Sequence, residues 1–292
     1  MRSILKIAVC LLSFSMVSVG AEQKVVLISG GTGGIGIATI KAFEEKGWKV
    51  WAGYRNQAPE NSLNVRWIPL DVMKDQMIQD ALETILEEDG EIHALVNNAG
   101  YAIIGLEEGI CIEEAQRLFD VNFFGSLRLI QKVIPQMRAQ KFGHIINISS
   151  TSGVRAIPGL GLYAASKFAL EGLSEALAVS LSPWNIQVSI IEPGTVKNDF
   201  AKHCVISEEP SDNPLAIALS QNLSSKLASL ATQGQDCGEI GRLIVEVAET
   251  SHPDLRYQTS SKVQDTVSKK LVDLSGNKMR EEQKTFFKSL VE

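Results

Sequence analysis

The chain has 292 residues, of which 45% are hydrophobic, and a formal net charge of −6 at neutral pH. This length and composition allow a sizeable core, in one large α/β domain or two small ones. No stretch of lysines and arginines forms a positive stripe, so a nucleic-acid-binding surface is excluded.

The first 21 residues form a leader. Arg2 and Lys6 give it a charged start, residues 7–19 form an apolar run, and small residues end it at Ala21. This layout is that of a secretory signal peptide cleaved after Ala21. A retained membrane anchor is the second interpretation, because this run is short for a bilayer of ~30 Å. The leader predicts an exported or membrane-associated protein, whose domain faces the cytoplasm if the anchor is retained.

From residue 24 onward, short apolar runs alternate with segments of helical periodicity. Strands are predicted at residues 24–29, 48–53, 65–70, 94–97, 144–148 and 187–191. Helices are predicted at residues 35–46, 75–88, 113–138 and 163–181, with a kink or break near Pro135. This alternation indicates βαβ crossovers. We therefore predict a Rossmann-type, doubly wound α/β fold, with a mostly parallel sheet and helices on both faces.

The domain organisation follows from the same pattern. We predict a single domain over residues 24–292, without a linker. Residues 195–236 are less regular and rich in Ser, Asn and Pro, which indicates a mobile insertion near a site.

The turn after the first strand is rich in glycine, since residues 29–36 read SGGTGGIG. Glycines permit a tight turn and a close approach of the backbone to a ligand, and the N-terminus of the following helix favours a diphosphate. This context predicts a dinucleotide site at Gly30, Gly34, Ile35 and Gly36. A flexible turn without a ligand is the alternative.

The helix predicted at 163–181 begins with Tyr163 and carries Lys167 four residues later. Residues four apart share one helix face, so the ammonium of Lys167 can lie near the phenol of Tyr163. A nearby positive charge should lower the pKa of Tyr163 and suit it to proton transfer with a carbonyl or an alcohol. The alternative is an amphipathic helix with an exposed lysine.

Six signals occur in the order typical of the short-chain dehydrogenase/reductase family, and the chain resembles that family from residue 24 to about residue 200. They are the glycine turn, Asn97-Asn98-Ala99-Gly100, Asn122, Ser149-Ser150, the Tyr163–Lys167 pair and Pro193-Gly194. A narrower resemblance, in residues 163–178, 255–257 and 271–276, is to the estradiol 17β-dehydrogenase and retinol dehydrogenase branch.

The resemblance implies a catalytic set. Tyr163 would be the general acid and base, and Lys167 would lower its pKa and hold the nicotinamide ribose. Ser150 would hydrogen-bond the substrate oxygen, with its neighbour Ser149 as the second choice. Asn122 would hold a water molecule in a proton relay to the lysine, although without the other members it would be read as an ordinary buried polar group.

The resemblance also implies a cofactor set beyond the glycine turn and the Tyr163–Lys167 pair. Asp71 would meet the adenine ring, and the turn after the sixth strand would face the carboxamide. Asn198 stands where the family often has Thr, which puts that one contact in doubt. The remaining implied cofactor residues are Asn98, Ala99, Gly100, Pro193, Gly194 and Val196.

The end of the second strand bears on the choice of cofactor. An NAD site usually has an acid there for the ribose 2′-hydroxyl, whereas a 2′-phosphate requires an arginine. This strand runs without an acid to Arg55, so NADPH is predicted over NADH. A solvated loop arginine is the alternative, and the glycine turn lacks the second basic residue that many NADPH-dependent members carry.

Together these features predict an NADP(H)-dependent oxidoreductase that interconverts a hydroxyl and a carbonyl on a small apolar substrate, such as a steroid, retinoid or lipid. The alternative is a non-catalytic NADPH-binding sensor or scaffold. The resemblance implies a homodimer, formed through the helices at 113–138 and 163–181. No metal site and no disulfide framework are expected, because the histidines and cysteines lack the spacing for either.

Overall fold

The computed structural model describes residues 23–59, 65–198, 200, 204–207, 213–272, 282, 285, 288 and 289. The predicted leader at residues 1–21 lies outside the described residues. Among the helices that are described, none combines the length and the hydropathy needed to cross a bilayer.

A seven-stranded parallel sheet forms the centre of the molecule. Its strands are β1 (Val25–Ile28), β2 (Lys49–Tyr54), β3 (Arg66–Pro69), β4 (Ala94–Asn97), β6 (Gly143–Ile148), β7 (Ile186–Glu192) and β9 (Arg256–Gln258). The strand order is β3-β2-β1-β4-β6-β7-β9. The direction of winding reverses between β1 and β4, and a crevice at the carboxyl ends of the strands is expected at that point. The predicted doubly wound α/β fold is confirmed.

Helices cover both faces of this sheet. They are α1 (Gly34–Glu45), α2 (Asp75–Asp89), α3 (Ile112–Phe119), α4 (Ser126–Gln140), α5 (Gly161–Ser180), α6 (Pro214–Thr232), α7 (Cys237–Glu249) and α8 (Ser261–Val272). A separate two-stranded parallel sheet joins β5 (Ile103–Ile104) to β8 (Val205–Ile206).

Alternating side chains of the strands divide the core into two layers. Val25 and Leu27 of β1 pack into one layer, with residues of α2 and α4. Val26 and Ile28 pack into the other, with residues of α1 and α7. All four side chains are buried because both faces of a parallel sheet are covered by helices.

The sequence prediction omitted six elements of the described structure, namely β5, β8, β9, α6, α7 and α8. Two of them, β9 and α6, show why. The seventh strand, β9, has three residues and gains its place by pairing with β7. The segment predicted as irregular, 195–236, contains the 19-residue helix α6. Asn213 caps this helix, since its Oδ1 accepts a hydrogen bond of 3.1 Å from the backbone nitrogen of Ala216. Pro214 occupies the first turn, where its missing N–H costs nothing.

The helix predicted at 113–138 is interrupted, but at a different place from Pro135. A π-helical turn over Asp120–Gly125 separates α3 from α4. Helix α4 continues through Pro135 to Gln140, and Lys141 ends it in the left-handed conformation with φ 60°. Pro135 and Gln131 are both exposed, so water can satisfy the carbonyl that loses its helical partner.

Candidate active site

A cleft of about 1530 Å³ opens at the carboxyl ends of the strands. It brings together nearly all of the residues that the sequence singled out. Those that line it are Gly30, Gly34, Ile35, Arg55, Asp71, Asn98, Ala99, Gly100, Ser149, Ser150, Tyr163, Lys167, Pro193, Gly194, Val196 and Asn198. Gly36 and Asn122 lie behind this surface and act on it through packing and hydrogen bonds.

One side of the cleft, which we call the glycine wall, consists of the turn after β1 and the segment after β4. Gly30 has φ +63°, and a Cβ added to it would lie 2.9 Å from the Cα of Ala99. A Cβ on Gly36 would overlap the carbonyl oxygen of Gly30. The side-chain amide of Asn98 donates to the carbonyls of Ser29 at 3.2 Å and Gly30 at 2.9 Å. The turn is thus closed against its neighbours by backbone contacts that leave no space for side chains.

The glycine wall fits the diphosphate of a dinucleotide. Gly33 caps α1 without a side-chain hydrogen bond, and the first turn of α1 contains no acidic residue. The nearest atom to a Cβ on Gly33 would be 3.6 Å away, so the backbone here is open on the cleft side. Free N–H groups and the positive end of the helix dipole together favour an anion.

Two charged residues lie beyond the glycine turn. The Asp71 carboxylate is nearly buried and accepts a hydrogen bond of 3.0 Å from the backbone nitrogen of Met73. Arg55 is exposed at the cleft, and its guanidinium makes neither a hydrogen bond nor an ion pair with any described residue. Its charge is thus available to a ligand.

Asn122 occupies the π-helical turn and is fully buried. Its Oδ1 accepts from the backbone nitrogen of Tyr101 at 3.0 Å, and its Nδ2 donates to the Tyr101 carbonyl at 2.9 Å and to Ser166 Oγ at 3.0 Å. Ser166 in turn donates to the Tyr163 carbonyl at 2.7 Å. Asn122 therefore joins the segment after β4 to the first turn of α5, and Ser166, which the sequence did not single out, is the connecting residue.

Tyr163, Ser150 and Lys167 converge at the middle of the cleft. Ser150 lies two residues beyond the end of β6 and accepts a hydrogen bond of 3.0 Å from the backbone nitrogen of Ser152. Its hydroxyl faces the Tyr163 phenol and lowers the pKa of that phenol. Lys167 Nζ lies 5.8 Å from the centroid of the Tyr163 ring and donates to the carbonyl of Ile148 at 2.8 Å. The expected juxtaposition of these three side chains is therefore present.

The expected lowering of the Tyr163 pKa is not found in this structure. Burial raises the pKa of Tyr163 to about 12, although the hydrogen bond with Ser150 lowers it. Burial also lowers the pKa of Lys167 to about 8, and the Glu171 carboxylate raises it. The loss of hydration around the phenol is thus the larger effect, and the phenol is protonated at neutral pH.

A buried acidic cluster lies one helical turn beyond Lys167, and sequence reasoning missed it. Arg256 Nε lies 3.0 Å from Glu171 Oε2 and 3.4 Å from Glu192 Oε1, and the guanidinium also pairs with Glu175. Burial raises the pKa of Glu171 to about 7. Because Glu192 directly precedes Pro193, the cluster connects α5 to the Pro193–Gly194 turn.

The other side of the cleft, which we call the apolar wall, comes from segments without a motif. Tyr163 and Phe200 lie with their ring centroids 5.9 Å apart. Burial raises the pKa of the Cys204 thiol, beside this pair, to about 11. The apolar residues of this wall are Ile103, Ile157, Leu160, Phe200, Leu227 and Ala231.

The histidines and cysteines take no part in a metal site within the described portion, since no three His, Cys, Asp or Glu residues cluster there. Cys111, Cys204 and Cys237 are free thiols.

Comparison with known proteins agrees with this geometry. The family model for short chain dehydrogenases matches residues 24–208. The chain is 34% identical to human retinol dehydrogenase 8 over 278 residues, which cover 88% of each chain. It is 33% identical to 3-ketodihydrosphingosine reductase of Bacteroides thetaiotaomicron, over 91% of this chain and 98% of the relative. A crystal structure of a short-chain dehydrogenase from Streptomyces avermitilis superposes with a TM-score of 0.78 at 30% identity, over 91% of this chain and 98% of that one.

Proposed function

Because the chain belongs to the short-chain dehydrogenase/reductase family, whose members are oxidoreductases acting on CH–OH groups, we propose that it reduces the carbonyl of an apolar substrate with NADPH. The reverse oxidation uses the same groups. The proposed substrate class is a steroid, retinoid or other lipid.

One observation carries this proposal. The glycine wall, the Ser150–Tyr163–Lys167 set and the apolar wall line the same cleft. An apolar molecule on one wall would place its carbonyl beside the two hydroxyls, while a dinucleotide occupied the other wall. A protein that only senses NADPH would not require the hydroxyls of Ser150 and Tyr163 to meet at this junction of the two walls.

The nicotinamide cofactor supplies the hydride when bound. The chain's own residues supply the proton: the Tyr163 hydroxyl donates to the carbonyl oxygen, and the Ser150 hydroxyl hydrogen-bonds the same oxygen and orients it. Since the pKa of Tyr163 is about 12, the phenol holds its proton at neutral pH, as the proton donor of the reduction must.

Lys167 and Asn122 have distinct parts in this proposal. Lys167 would hold the nicotinamide ribose, since its Nζ faces the cleft between Ile148 and Gly100. Asn122 is a positioning residue, because all three hydrogen bonds of its side chain go to Tyr101 and Ser166. The water molecule predicted beside Asn122 stays a prediction.

The preference for NADPH rests on Arg55, whose unpaired guanidinium lies on the cleft where a 2′-phosphate would be. In Arg55→Gln we expect the Kd for NADPH to rise about tenfold and the Kd for NADH to change less than about twofold, because one charge-assisted hydrogen bond is lost. Titration of both cofactors by nucleotide fluorescence measures this. Equal effects on the two cofactors would refute the assignment of Arg55.

The activity is tested by following NADPH oxidation with a panel of apolar ketones that includes steroid, retinoid and long-chain aliphatic members. Tyr163→Phe should lower turnover by at least about 10³-fold and leave NADPH affinity within about threefold, since only the proton donor is removed. Turnover that survives in Tyr163→Phe would overturn the mechanism. NADPH binding without turnover of any ketone would support the sensor alternative.

We also propose that residues 1–21 direct the protein to a membrane or out of the cytoplasm and that it forms a homodimer through α4 and α5. Sequencing the N-terminus of the native protein tests cleavage after Ala21. Sedimentation of the domain from residue 22 tests the dimer.

A further inference from the structure

Arg155 stands in the loop that supplies part of the apolar wall. Its backbone nitrogen donates to the Thr151 carbonyl at 3.0 Å, in the turn that follows Ser150. The side chain is half-buried and lines the cleft, and the same loop continues to Ile157 and Leu160. A cation is thus held at an otherwise apolar surface, five residues from the serine that faces the substrate.

The guanidinium of Arg155 has no hydrogen-bond or ion-pair partner among the residues that the structure describes. Its Nε is inaccessible to water and without a hydrogen bond. Across the described residues, the side chain makes no ion pair either. The Glu282 carboxylate raises the pKa of Arg155 without forming an ion pair with it, and that carboxylate is bonded to Lys269 Nζ at 2.9 Å.

The surroundings of Arg155 differ from those of the arginines that have a structural role. Arg128 lies 2.6 Å from Asp120, Arg66 pairs with Glu88, and Arg256 contacts three carboxylates. Arg55 and Arg117 are without such partners, but both are exposed to solvent. Of the arginines compared, Arg155 alone is half-buried without an ion pair to any residue that the structure describes.

A buried N–H group without an acceptor, such as the Nε of Arg155, is unfavourable unless a ligand supplies the acceptor. Its planar arrangement of donors matches the two oxygens of a carboxylate or phosphate. We propose that Arg155 binds an anionic head group of the substrate, so that the enzyme acts on an oxo- or hydroxy-lipid with a carboxylate or phosphate end. This inference rests on the proposed function. It narrows the proposed substrate class from apolar lipids in general to lipids with an anionic end.

Binding tests the inference without turnover. Calorimetry of the protein saturated with NADP⁺ would compare decanoate, decyl phosphate and 1-decanol. We expect at least one anion to bind at least about tenfold more tightly than the alcohol. In Arg155→Met, which keeps the length of the apolar stem, this difference should disappear, and the tighter of the two anions identifies the head group.

Arg138→Met is the matched control, because Arg138 lies over Trp184 on the surface and its loss changes the net charge equally. It should keep the preference for anions, and a Tm no lower than that of the wild type verifies that Arg155→Met is folded. Equal affinities of the wild type and Arg155→Met for both anions would overturn the inference.

Turnover separates the inference from the proposed function. The substrates are oxo-decanoates that differ in ketone position, each compared with its methyl ester. The kcat/KM of the wild type should be about tenfold higher for the acid than for the ester, and Arg155→Met should abolish this preference. If no ketone is turned over but anion binding depends on Arg155, the proposed function fails and the inference stands. If the esters are turned over and the acids gain nothing from Arg155, the inference fails alone.

Discussion

The two walls of the cleft are formed by different kinds of contact. In the glycine wall, backbone atoms contact backbone atoms, as where a Cβ on Gly36 would overlap the Gly30 carbonyl. In the apolar wall, side chains contact side chains, as where the ring centroid of Phe200 lies 5.9 Å from that of Tyr163 and the partly buried Leu227 packs against a hydrophobic cluster. A close backbone contact admits only glycine at its position, whereas an apolar surface admits any hydrophobic side chain of suitable volume. The glycine wall can therefore be recognised in the sequence as a motif, and the apolar wall cannot.

The largest expected effect tests the rigidity of the glycine wall. Gly36→Ala should lower the free energy of unfolding by about 5 kcal/mol or prevent folding, because the new methyl group overlaps a backbone oxygen. Gly33→Ala is the matched control. Its Cβ would have no neighbour closer than 3.6 Å, so it should cost less than about 1 kcal/mol. Urea denaturation compares the two, and equal costs would contradict the contrast between the walls.

Asn122 tests how the two walls are joined. Asn122→Ala should lower the free energy of unfolding by about 4 kcal/mol, because it leaves buried groups of Tyr101 and Ser166 without partners. Gln79→Ala removes an exposed amide from α2 and should cost less than about 0.5 kcal/mol. Denaturation measures both. If Asn122→Ala lowers the free energy of unfolding no more than Gln79→Ala does, the hydrogen bonds of Asn122 between the two walls do not contribute to stability.

Helix α6 tests whether the apolar wall is as tolerant as its packing indicates. Leu219 is fully buried against Gly159, and Leu219→Ala should cost about 3 kcal/mol of stability. Leu227 is only half-buried at the cleft, so Leu227→Ala should cost less than about 1 kcal/mol while raising KM for the bulkiest ketone a few-fold. Thermal denaturation and steady-state kinetics together distinguish the two leucines. Similar losses of stability would mean that the wall is packed as tightly as the core.

The smallest expected effect concerns the acidic cluster beneath both walls. The pKa of Glu171 is raised from 4.5 to about 7, so the folded state keeps a proton that the unfolded state has lost. The contribution of Glu171 to stability therefore falls as the pH rises through this window and stays lost above it. Since Glu171→Gln cannot titrate, its stability relative to the wild type should increase by about 2 kcal/mol between pH 4.5 and pH 8.

Thermal denaturation across that pH range measures the change. Glu87→Gln, which removes an exposed carboxylate from α2, should show no such trend. A pH-independent difference between Glu171→Gln and the wild type would indicate that Glu171 is ionised throughout.

Much of the fold was predictable because its strands are short apolar runs separated by periodic helices. The element that failed most clearly was α6, whose Ser and Asn content concealed the buried stripe of Ala216, Leu219 and Leu223. Strand β9 could not be predicted from three residues, because its pairing with β7 is a tertiary contact. The π-helical turn was likewise invisible, since Asn122 forms it with hydrogen bonds to a residue 21 positions away.

The sequence by itself predicted the doubly wound fold from its periodicity and the glycine turn from its composition. It predicted the Ser150–Tyr163–Lys167 set from its resemblance to the short-chain dehydrogenase/reductase family. Only the tertiary structure decided the surroundings of these groups. Burial raised the pKa of Tyr163 where spacing to Lys167 predicted the opposite. Within the described part of the chain, the Nε of Arg155 was left without a hydrogen bond, and Glu171 was paired with Arg256 across 85 residues. Desolvation and pairing depend on which distant segments cover a side chain. A local sequence pattern does not predict which segments those are.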